Sequence, residues 1–257
     1  MFRLIAQALV GLSLLAPAMT AAQSTTTPTE LGEPDRDKLR AEIRAYLLDN
    51  PEVILEALEI LEQRRELQAQ AADKSLIATY ANQIFDDGHS FVAGNPNGDI
   101  TLVEFLDYRC HYCKQAHPQI AELLKSDPNI KLVVKEFPIL GPNSVAAGRI
   151  AIAAAAIDDT KYKALNDALM TFKGNLTERA AYRVAEGVGY DTDTLRAEAD
   201  SDATTEKLNA NFQLAQVMGL NGTPSFILED EVIRGFLPAA QMQALIDEKR
   251  RANANSN

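Results

Sequence analysis

The middle of this 257-residue chain reads Glu104-Phe105-Leu106-Asp107-Tyr108-Arg109-Cys110-His111-Tyr112-Cys113. An apolar strand pattern runs from Ile100 to Leu106, and a helical pattern runs from Lys114 to Lys125. The chain has no other cysteines. A disulfide framework needs several cysteines, and a structural zinc site would need a second Cys-x-x-Cys pair. The pattern therefore predicts a dithiol whose role is chemical.

The first cysteine falls at the start of the predicted helix. Free backbone N–H groups and the positive end of the helix dipole favour a thiolate there, and the pKa of such a cysteine falls from about 8.5 to roughly 3.5–7.5. We therefore expect Cys110 to be the nucleophile and the more buried Cys113 to resolve the mixed disulfide. His111 is expected to stabilise the Cys110 thiolate, and Tyr112 to provide a contact surface.

Charge and the N-terminal residues restrict the class of protein. The chain has 36 acidic and 25 basic residues, a net charge of -11, which argues against nucleic acid as a partner. Arg3, the apolar run Leu4 to Leu15 and the small residues up to Ala22 predict a cleaved signal peptide over residues 1–22. The apolar run is shorter than the roughly 20 residues that span a bilayer, which argues against an uncleaved anchor. We therefore expect a periplasmic protein, in a compartment where disulfides persist.

Residues 23–86 predict a linker followed by helices. Residues 23–34 are rich in Thr and Pro and are expected to be disordered, whereas residues 35–86 are expected to be helical. Asp49-Asn50-Pro51 predicts the restart of a helix, and apolar residues wrap around much of that second helix before a polar stalk. This apolar part could pack on its own catalytic domain. The polar stalk favours self-association instead, so we expect a homo-oligomer.

The rest of the chain alternates strands and helices. Strands are predicted near Ser90–Ala93 and at Ile100–Leu106, Ile130–Phe137, Ser225–Leu228 and Val232–Phe236, with a last helix at Pro238–Arg250. This order predicts an α/β domain over residues 88–250, with a helical insertion at about residues 142–218.

The ten quoted residues resemble the active-site strand and helix of DsbA-type thioredoxin-fold proteins. That family has a buried acidic residue six positions before the first cysteine, which Glu104 matches, and a cis-proline loop facing the dithiol, which Gly222-Thr223-Pro224-Ser225-Phe226 matches. The resemblance covers about residues 88–250. It implies a thioredoxin fold with a helical insertion, preceded here by an N-terminal α-helical extension, and it implies substrate contacts by Thr223 and Pro224.

Glu104 stands in an otherwise apolar strand beside the dithiol. Burial would raise its pKa toward the range that is useful for proton transfer, so we expect it to relay protons. The alternative is an ion-paired core carboxylate with Lys135 as a possible partner. His117 shares a helix face with Cys113 and could ligate a metal, but a surface or packing role is expected. No metal and no other cofactor are predicted.

Asp49-Asn50-Pro51-Glu52-Val53-Ile54 and the helix after it are similar to the N-terminal extension of the ScsC group, copper-resistance-associated relatives of DsbA. Several members of that group oligomerise through the extension and act as disulfide isomerases. The resemblance therefore implies a disulfide isomerase or reductase acting on exported proteins with thiols or disulfides. A DsbD-like, ScsB-like or DsbB-like membrane protein would be its redox partner. A DsbA-type dithiol oxidase is the alternative.

Two hypotheses of other classes stay open. Two soft thiolates, helped by His111, could carry Cu(I) in copper tolerance, although the cis-proline motif argues for peptide substrates. An oligomeric holdase without redox chemistry would leave the dithiol unexplained.

Overall fold

A computed structural model describes residues 33–255 of the protein. The predicted signal peptide lies outside the described residues, as does the predicted linker apart from Glu33 and Pro34, which begin the first helix. The chain divides into two units, residues 1–59 and residues 60–257. No helix within the described part of the chain is long and apolar enough to cross a membrane.

The first unit consists, where described, of helix α1 (Glu33–Asp49) and the start of helix α2 (Glu52–Thr79). The predicted helix restart is confirmed, but Asn50 acts on the preceding helix. Its side-chain amide donates to the Tyr46 carbonyl at 2.9 Å and so caps the end of α1. Seven large apolar side chains of this unit are 48–65% exposed: Leu39, Ile43, Tyr46, Leu48, Ile54, Leu55 and Leu58.

The second unit is built on a five-stranded mixed sheet with the order β1-β3-β2-β4-β5. Its strands are β1 (Phe91–Gly94), β2 (Ile100–Leu106), β3 (Ile130–Glu136), β4 (Ser225–Leu228) and β5 (Glu231–Arg234). Strands β2 and β3 are parallel, because α4 connects them, and the other neighbouring pairs are antiparallel. The predicted α/β class with helices before the sheet is therefore confirmed.

Helices cover both faces of this sheet. They are α3 (Ala81–Phe85), α4 (His111–Ser126), α5 (Pro142–Ile157), α6 (Tyr162–Thr171), α7 (Glu178–Val188), α8 (Thr192–Ala199), α9 (Asp202–Val217) and α10 (Ala239–Asn255), with a short 3-10 helix at Asp159–Lys161. Helices α4, α5, α6 and α10 contribute to the core on one face, and the end of α2, α3 and α9 contribute to the core on the other. Helices α5 to α9 occupy the interval for which a helical insertion was predicted.

The register of the two central strands separates the charges that the sequence places in the core. Glu104 lies beside Val134, and Lys135 lies beside Phe105. Because side chains alternate between the faces of a sheet, Glu104 and Lys135 point to opposite faces. The suggested pairing of Lys135 with Glu104 is therefore wrong. Lys135 is fully buried, and its Nζ lies 2.6 Å from Asp87 Oδ2.

Candidate active site

The dithiol follows a tight turn at the end of β2. Cys110 has extended backbone angles and is the N-terminal cap residue of α4, so the helix begins at His111. The backbone N–H of Cys110 donates to the Asp107 carbonyl at 3.0 Å, and the N–H of Lys114 donates to the Cys110 carbonyl at 3.1 Å. The strand, the turn and the first helical hydrogen bond together fix the first cysteine at the helix N-terminus, as the sequence predicted.

Asp107 holds this turn and was not identified from the sequence. Its buried carboxylate accepts hydrogen bonds from the Arg109 N–H at 2.8 Å, the Ser144 hydroxyl at 2.8 Å and the Leu140 N–H at 3.0 Å. It thus ties the turn to the loop before α5. An aspartate directly before the dithiol has the turn-forming chemistry to suggest this role, but its distant partners are visible only in the folded chain.

The Cys110 thiol is nearly buried and faces the loop that contains Pro224. In its protonated form, its Sγ donates to the Thr223 carbonyl at 3.0 Å. A hydrogen bond from the Cys113 thiol lowers the pKa of Cys110, whereas burial raises it. Hydrogen bonds from the Thr223 side chain and from the backbone N–H groups of Cys113 and Tyr112 lower the pKa further, to about 5. At neutral pH Cys110 is therefore a thiolate, which is the reactive form of a cysteine.

Cys113 has the opposite character. It is completely buried. The hydrogen bond that it donates to Cys110 raises the pKa of Cys113 far above its ordinary value, and burial and the nearby charges of Cys110 and Glu104 raise it further. Cys113 therefore keeps its proton at neutral pH and needs a base before it can act as a nucleophile.

Glu104 lies on β2 close enough to Cys113 for its charge to affect that thiol. The residue is 4% exposed, and burial raises its pKa to about 7. Within residues 33–255, no protein group forms a hydrogen bond or an ion pair with its carboxyl. The alternative of an ion-paired core carboxylate is therefore wrong. A carboxyl that titrates near pH 7 beside a protonated thiol is suited to accept and return a proton.

The Thr223–Pro224 bond is cis, as the resemblance implied. The Pro224 carbonyl accepts from the Gly235 N–H at 3.1 Å, which ties the loop to the end of β5. Since the Thr223 carbonyl contacts the Cys110 sulfur, the structure brings this loop and the dithiol together.

The first turn of α4 presents His111 and Tyr112 to solvent. Tyr112 is 58% exposed. The His111 ring lies edge-on to the Tyr112 ring, with centroids 5.7 Å apart, and its Nε2 is 3.1 Å from the Gln115 side-chain amide. The hydrogen bonds that stabilise the Cys110 thiolate come from other groups. Stabilisation by His111 thus stays a prediction.

A second buried carboxyl, Glu136, was also missed from the sequence. The hydroxyls of Tyr108 and Tyr162 donate to its Oε1 at 2.8 and 2.6 Å, and the Asn166 amide donates to the Tyr108 hydroxyl at 3.2 Å. Burial raises the pKa of Glu136 to about 8, against the effect of the two tyrosine hydrogen bonds. Because Tyr108 lies in the turn before Cys110, this network holds the turn that leads into the dithiol.

His117 is paired with a carboxylate, since its Nε2 lies 3.1 Å from Asp167 Oδ1. Among the residues that the structure describes, no three His, Cys, Asp or Glu side chains form a group that could hold a metal ion. Within this part of the chain, His117 therefore has no set of neighbouring side chains with which it could bind a metal ion.

Two family models match the chain. The DSBA-like thioredoxin domain matches residues 101–247, more than half of the chain, and the copper resistance protein ScsC N-terminal domain matches residues 35–72. The first match contains both cysteines, Glu104 and the cis-proline loop. The second contains most of α1 and the first part of α2.

Solved structures show the same fold. A thioredoxin-like oxidoreductase from Silicibacter pomeroyi is 40% identical, covering 66% of this chain and 97% of its own with a TM-score of 0.64. The thiol-disulfide exchange protein alpha-DsbA2 from Wolbachia pipientis is 29% identical, covering 70% and 96% with a TM-score of 0.65. BcfH from Salmonella enterica Typhimurium is 27% identical, covering 82% and 94% with a TM-score of 0.71.

Curated proteins match over part of their length. The Na(+)/H(+) antiporter NhaA 3 of Salinispora tropica is 25% identical over 171 residues, which is 65% of this chain and 26% of the antiporter. Disulfide bond formation protein D of Bacillus subtilis is 24% identical over 171 residues, which is 62% of this chain and 76% of that protein. The chain thus spans about a quarter of the length of the antiporter.

Proposed function

The chain belongs to the DSBA-like thioredoxin domain family of thiol–disulfide oxidoreductases, and from this premise we propose that it is an exported disulfide isomerase and reductase of protein substrates. The observation that carries the proposal is the asymmetry of the dithiol. Hydrogen bonds keep Cys110 ionised, whereas burial and its own hydrogen bond keep Cys113 protonated. One sulfur is thereby ready to attack, and the other is held in reserve.

The reaction begins when the Cys110 thiolate attacks one sulfur of a substrate disulfide. A mixed disulfide forms, and the second substrate sulfur leaves as a thiolate. In isomerisation, another substrate thiolate attacks the mixed disulfide, so that a new substrate disulfide forms and the Cys110 thiolate is released. Thr223 contacts the Cys110 sulfur, and Thr223, Pro224 and Tyr112 are proposed to contact the substrate chain.

Reduction uses the second cysteine. Glu104 takes the proton from the Cys113 thiol, and the Cys113 thiolate attacks Cys110 Sγ. The bond between Cys110 and the substrate breaks, and the substrate sulfur leaves as a thiolate that takes up a proton. The substrate disulfide is thereby reduced by two electrons, and the enzyme dithiol is oxidised to a Cys110–Cys113 disulfide. A membrane thiol–disulfide protein of the DsbD-like or ScsB-like class is proposed to return the dithiol to its reduced form.

The proposal of isomerisation depends on the N-terminal helices. The seven exposed apolar side chains of the first unit would be covered in a homo-oligomer, and the ScsC N-terminal match falls on the same residues. An oligomer would hold several dithiols around one misfolded substrate. We therefore propose residues 1–22 as signal peptide, 23–34 as linker, 35–86 as the self-association region and 88–250 as the catalytic domain, with the mature protein in the periplasm.

One observation favours a dithiol oxidase as the second candidate. Thiolate stabilisation favours the reduced dithiol, and a protein whose reduced form is stabilised is a stronger oxidant. The lowered pKa of Cys110, about 5, means that its thiolate is stabilised in this way. Such an oxidase would pair with a DsbB-like membrane partner instead.

Two ribonuclease assays separate the candidates. We expect the full-length protein to reactivate scrambled ribonuclease faster than it oxidises reduced ribonuclease, and Cys110→Ser to be inactive in both assays. The reverse order of rates would indicate an oxidase. Inactivity in both assays, together with tight Cu(I) binding that requires both thiols, would reject the oxidoreductase proposal in favour of a copper carrier.

Light scattering tests the oligomer. Leu58→Glu places a charge among the exposed apolar side chains, and Gln63→Glu places the same charge on the polar part of the same helix. We expect the first change to give monomers that keep reductase activity but lose ribonuclease reactivation, and the control to behave as wild type. A wild-type monomer at micromolar concentration would remove the basis for isomerisation.

A further inference from the structure

A cavity of about 200 Å³ lies between α4, α6 and the sheet. Most of its wall is apolar, and the polar side chains that line it range from buried at one end to partly exposed at the other. Glu104 is 4% exposed, whereas the side chains of His117 and Asp167 are 20% and 43% exposed. The cavity therefore connects the buried carboxyl beside the dithiol with a charged pair at the protein surface.

The chemistry of the Glu104 carboxyl favours water in this cavity. The carboxyl lines the cavity and, among the described residues, has no hydrogen-bond or ion-pair partner. A buried polar group without a partner is destabilising. A water molecule needs only about 10–15 Å³ of accessible cavity volume, so there is room for several molecules, with polar contacts at Tyr162, Asn166 and the His117–Asp167 pair.

The reaction requires a route by which the Cys113 proton reaches solvent while the substrate is bound. Cys113 is fully buried, and its proton must leave while Cys110 is bonded to the substrate. A protein substrate then covers the surface formed by Cys110 and the Thr223–Pro224 loop. His117 is seven residues beyond Cys110, about 10 Å further along the axis of α4, so the opening beside His117 lies away from that surface.

We propose that this cavity is a proton exit path, through which Glu104 exchanges protons with solvent beside the His117–Asp167 pair while a substrate covers the dithiol. The inference rests on the proposed function, in which Glu104 accepts the Cys113 proton. Cys113 loses that proton to the Glu104 carboxylate, and its thiolate breaks the bond between Cys110 and the substrate. The Glu104 carboxyl then releases the proton through the cavity. His117 stands at the opening as a proton acceptor, and Asp167 is the positioning residue that holds its ring.

The charges around the path are consistent with it. The sheet elements beside Glu104 contribute mainly apolar side chains, including Val134 and Phe226. Asp167 is held by both Lys163, at 2.6 Å, and His117. Burial lowers the pKa of His117 against the opposing effect of Asp167, which favours a neutral ring able to accept a proton. The titratable groups that surround Glu104 or line its cavity are Cys113 and His117 of α4, Tyr162, Lys163 and Asp167 of α6, and Glu136 of β3.

Closing the opening tests the proposal. Ala121 lines the cavity and is exposed, so Ala121→Phe places a ring over the opening. Ala164→Phe adds the same ring at an exposed position of α6 outside the lining and is the matched control. His117→Leu is a second test variant, which removes the proton-accepting ring from the opening. Rapid acid quench and mass spectrometry give the rates of formation and of resolution of the mixed disulfide, with insulin and with glutathione disulfide as substrates.

Proton transfer by a positioned group contributes about 10²–10⁴-fold to a rate, and we expect at least about tenfold slower resolution with insulin in both test variants. Formation of the mixed disulfide should not change. With glutathione disulfide the slowing should be much smaller, because a tripeptide leaves the dithiol surface open to solvent. The control variant should match wild type with both substrates.

Unchanged resolution with insulin in both test variants would overturn the proposal, as would equal slowing with both substrates, which indicates local structural damage. Failure of the proposed function would look different. In that case wild type forms no mixed disulfide, or Glu104→Gln resolves it at the wild-type rate at every pH from 5 to 9.

Discussion

Glu104→Gln should stabilise the reduced protein at alkaline pH. Burial raises the pKa of Glu104 from its ordinary value of 4.5 to about 7. Because the folded chain binds this proton more tightly than the unfolded chain, the stabilising effect is complete below pH 4.5 and is lost as the pH rises through 7. At about 1.36 kcal/mol for each pKa unit, the ionised carboxyl lowers the free energy of unfolding by about 3 kcal/mol. Glutamine carries no charge and avoids this loss.

Urea unfolding of the reduced full-length protein, followed by far-UV circular dichroism because the chain has no tryptophan, measures the effect. We expect the free energy of unfolding of Glu104→Gln, relative to wild type, to rise by about 3 kcal/mol between pH 4.5 and pH 8.5. Glu122→Gln makes the same change at an exposed position of α4 and should show a nearly constant difference. A constant difference for Glu104→Gln as well would refute the reasoning, because the carboxyl would then titrate as it does in the unfolded chain.

Three further predictions concern the groups around the site. Alkylation of the reduced protein by iodoacetamide should modify Cys110 with a midpoint near pH 5, read by mass spectrometry, and a midpoint above pH 8 would contradict the assigned thiolate. Lys135→Met removes the ion pair of the half-buried Asp87, which keeps its contacts with His89 and Ser90, and should lower the free energy of unfolding by about 3 kcal/mol, the lower end of the range for a broken buried pair. A loss below about 1 kcal/mol would show that the pair contributes little. Tyr162→Phe removes one hydrogen bond to Glu136 and should destabilise by about 1–3 kcal/mol without moving the Cys110 midpoint, and a moved midpoint would mean that the network acts on the dithiol.

The parts of the site that follow from local sequence could be predicted. A strand that runs into Cys-x-x-Cys and a helix fixes the position of Cys110 within a few residues of chain, and the pKa of about 5 falls in the range expected at a helix N-terminus. The prediction of a cis bond before Pro224 came from the resemblance of its loop to the cis-proline loop of the family. In both cases the decisive residues are neighbours in the sequence.

The parts that depend on strand register or on distant loops could not be predicted. A change of one residue in the pairing of β2 with β3 would have placed Lys135 beside Glu104, and only the folded sheet excludes it. Asp87, the actual partner of Lys135, lies 48 positions away in a loop. The contacts of Asp107 with Leu140 and Ser144 likewise join segments that the sequence does not relate.

The two buried carboxyls of the sheet show why only one of them is suited to proton transfer. Glu104 and Glu136 lie on the same face, and burial raises the pKa of both, to about 7 and about 8. The Oε1 atom of Glu136 is held by two tyrosine hydroxyls, so a change in its charge disturbs a packed network. Glu104 has no such partners among the described residues, and its cavity leads toward solvent. Its protonation can therefore change without rearrangement of the core, which a relay beside Cys113 requires.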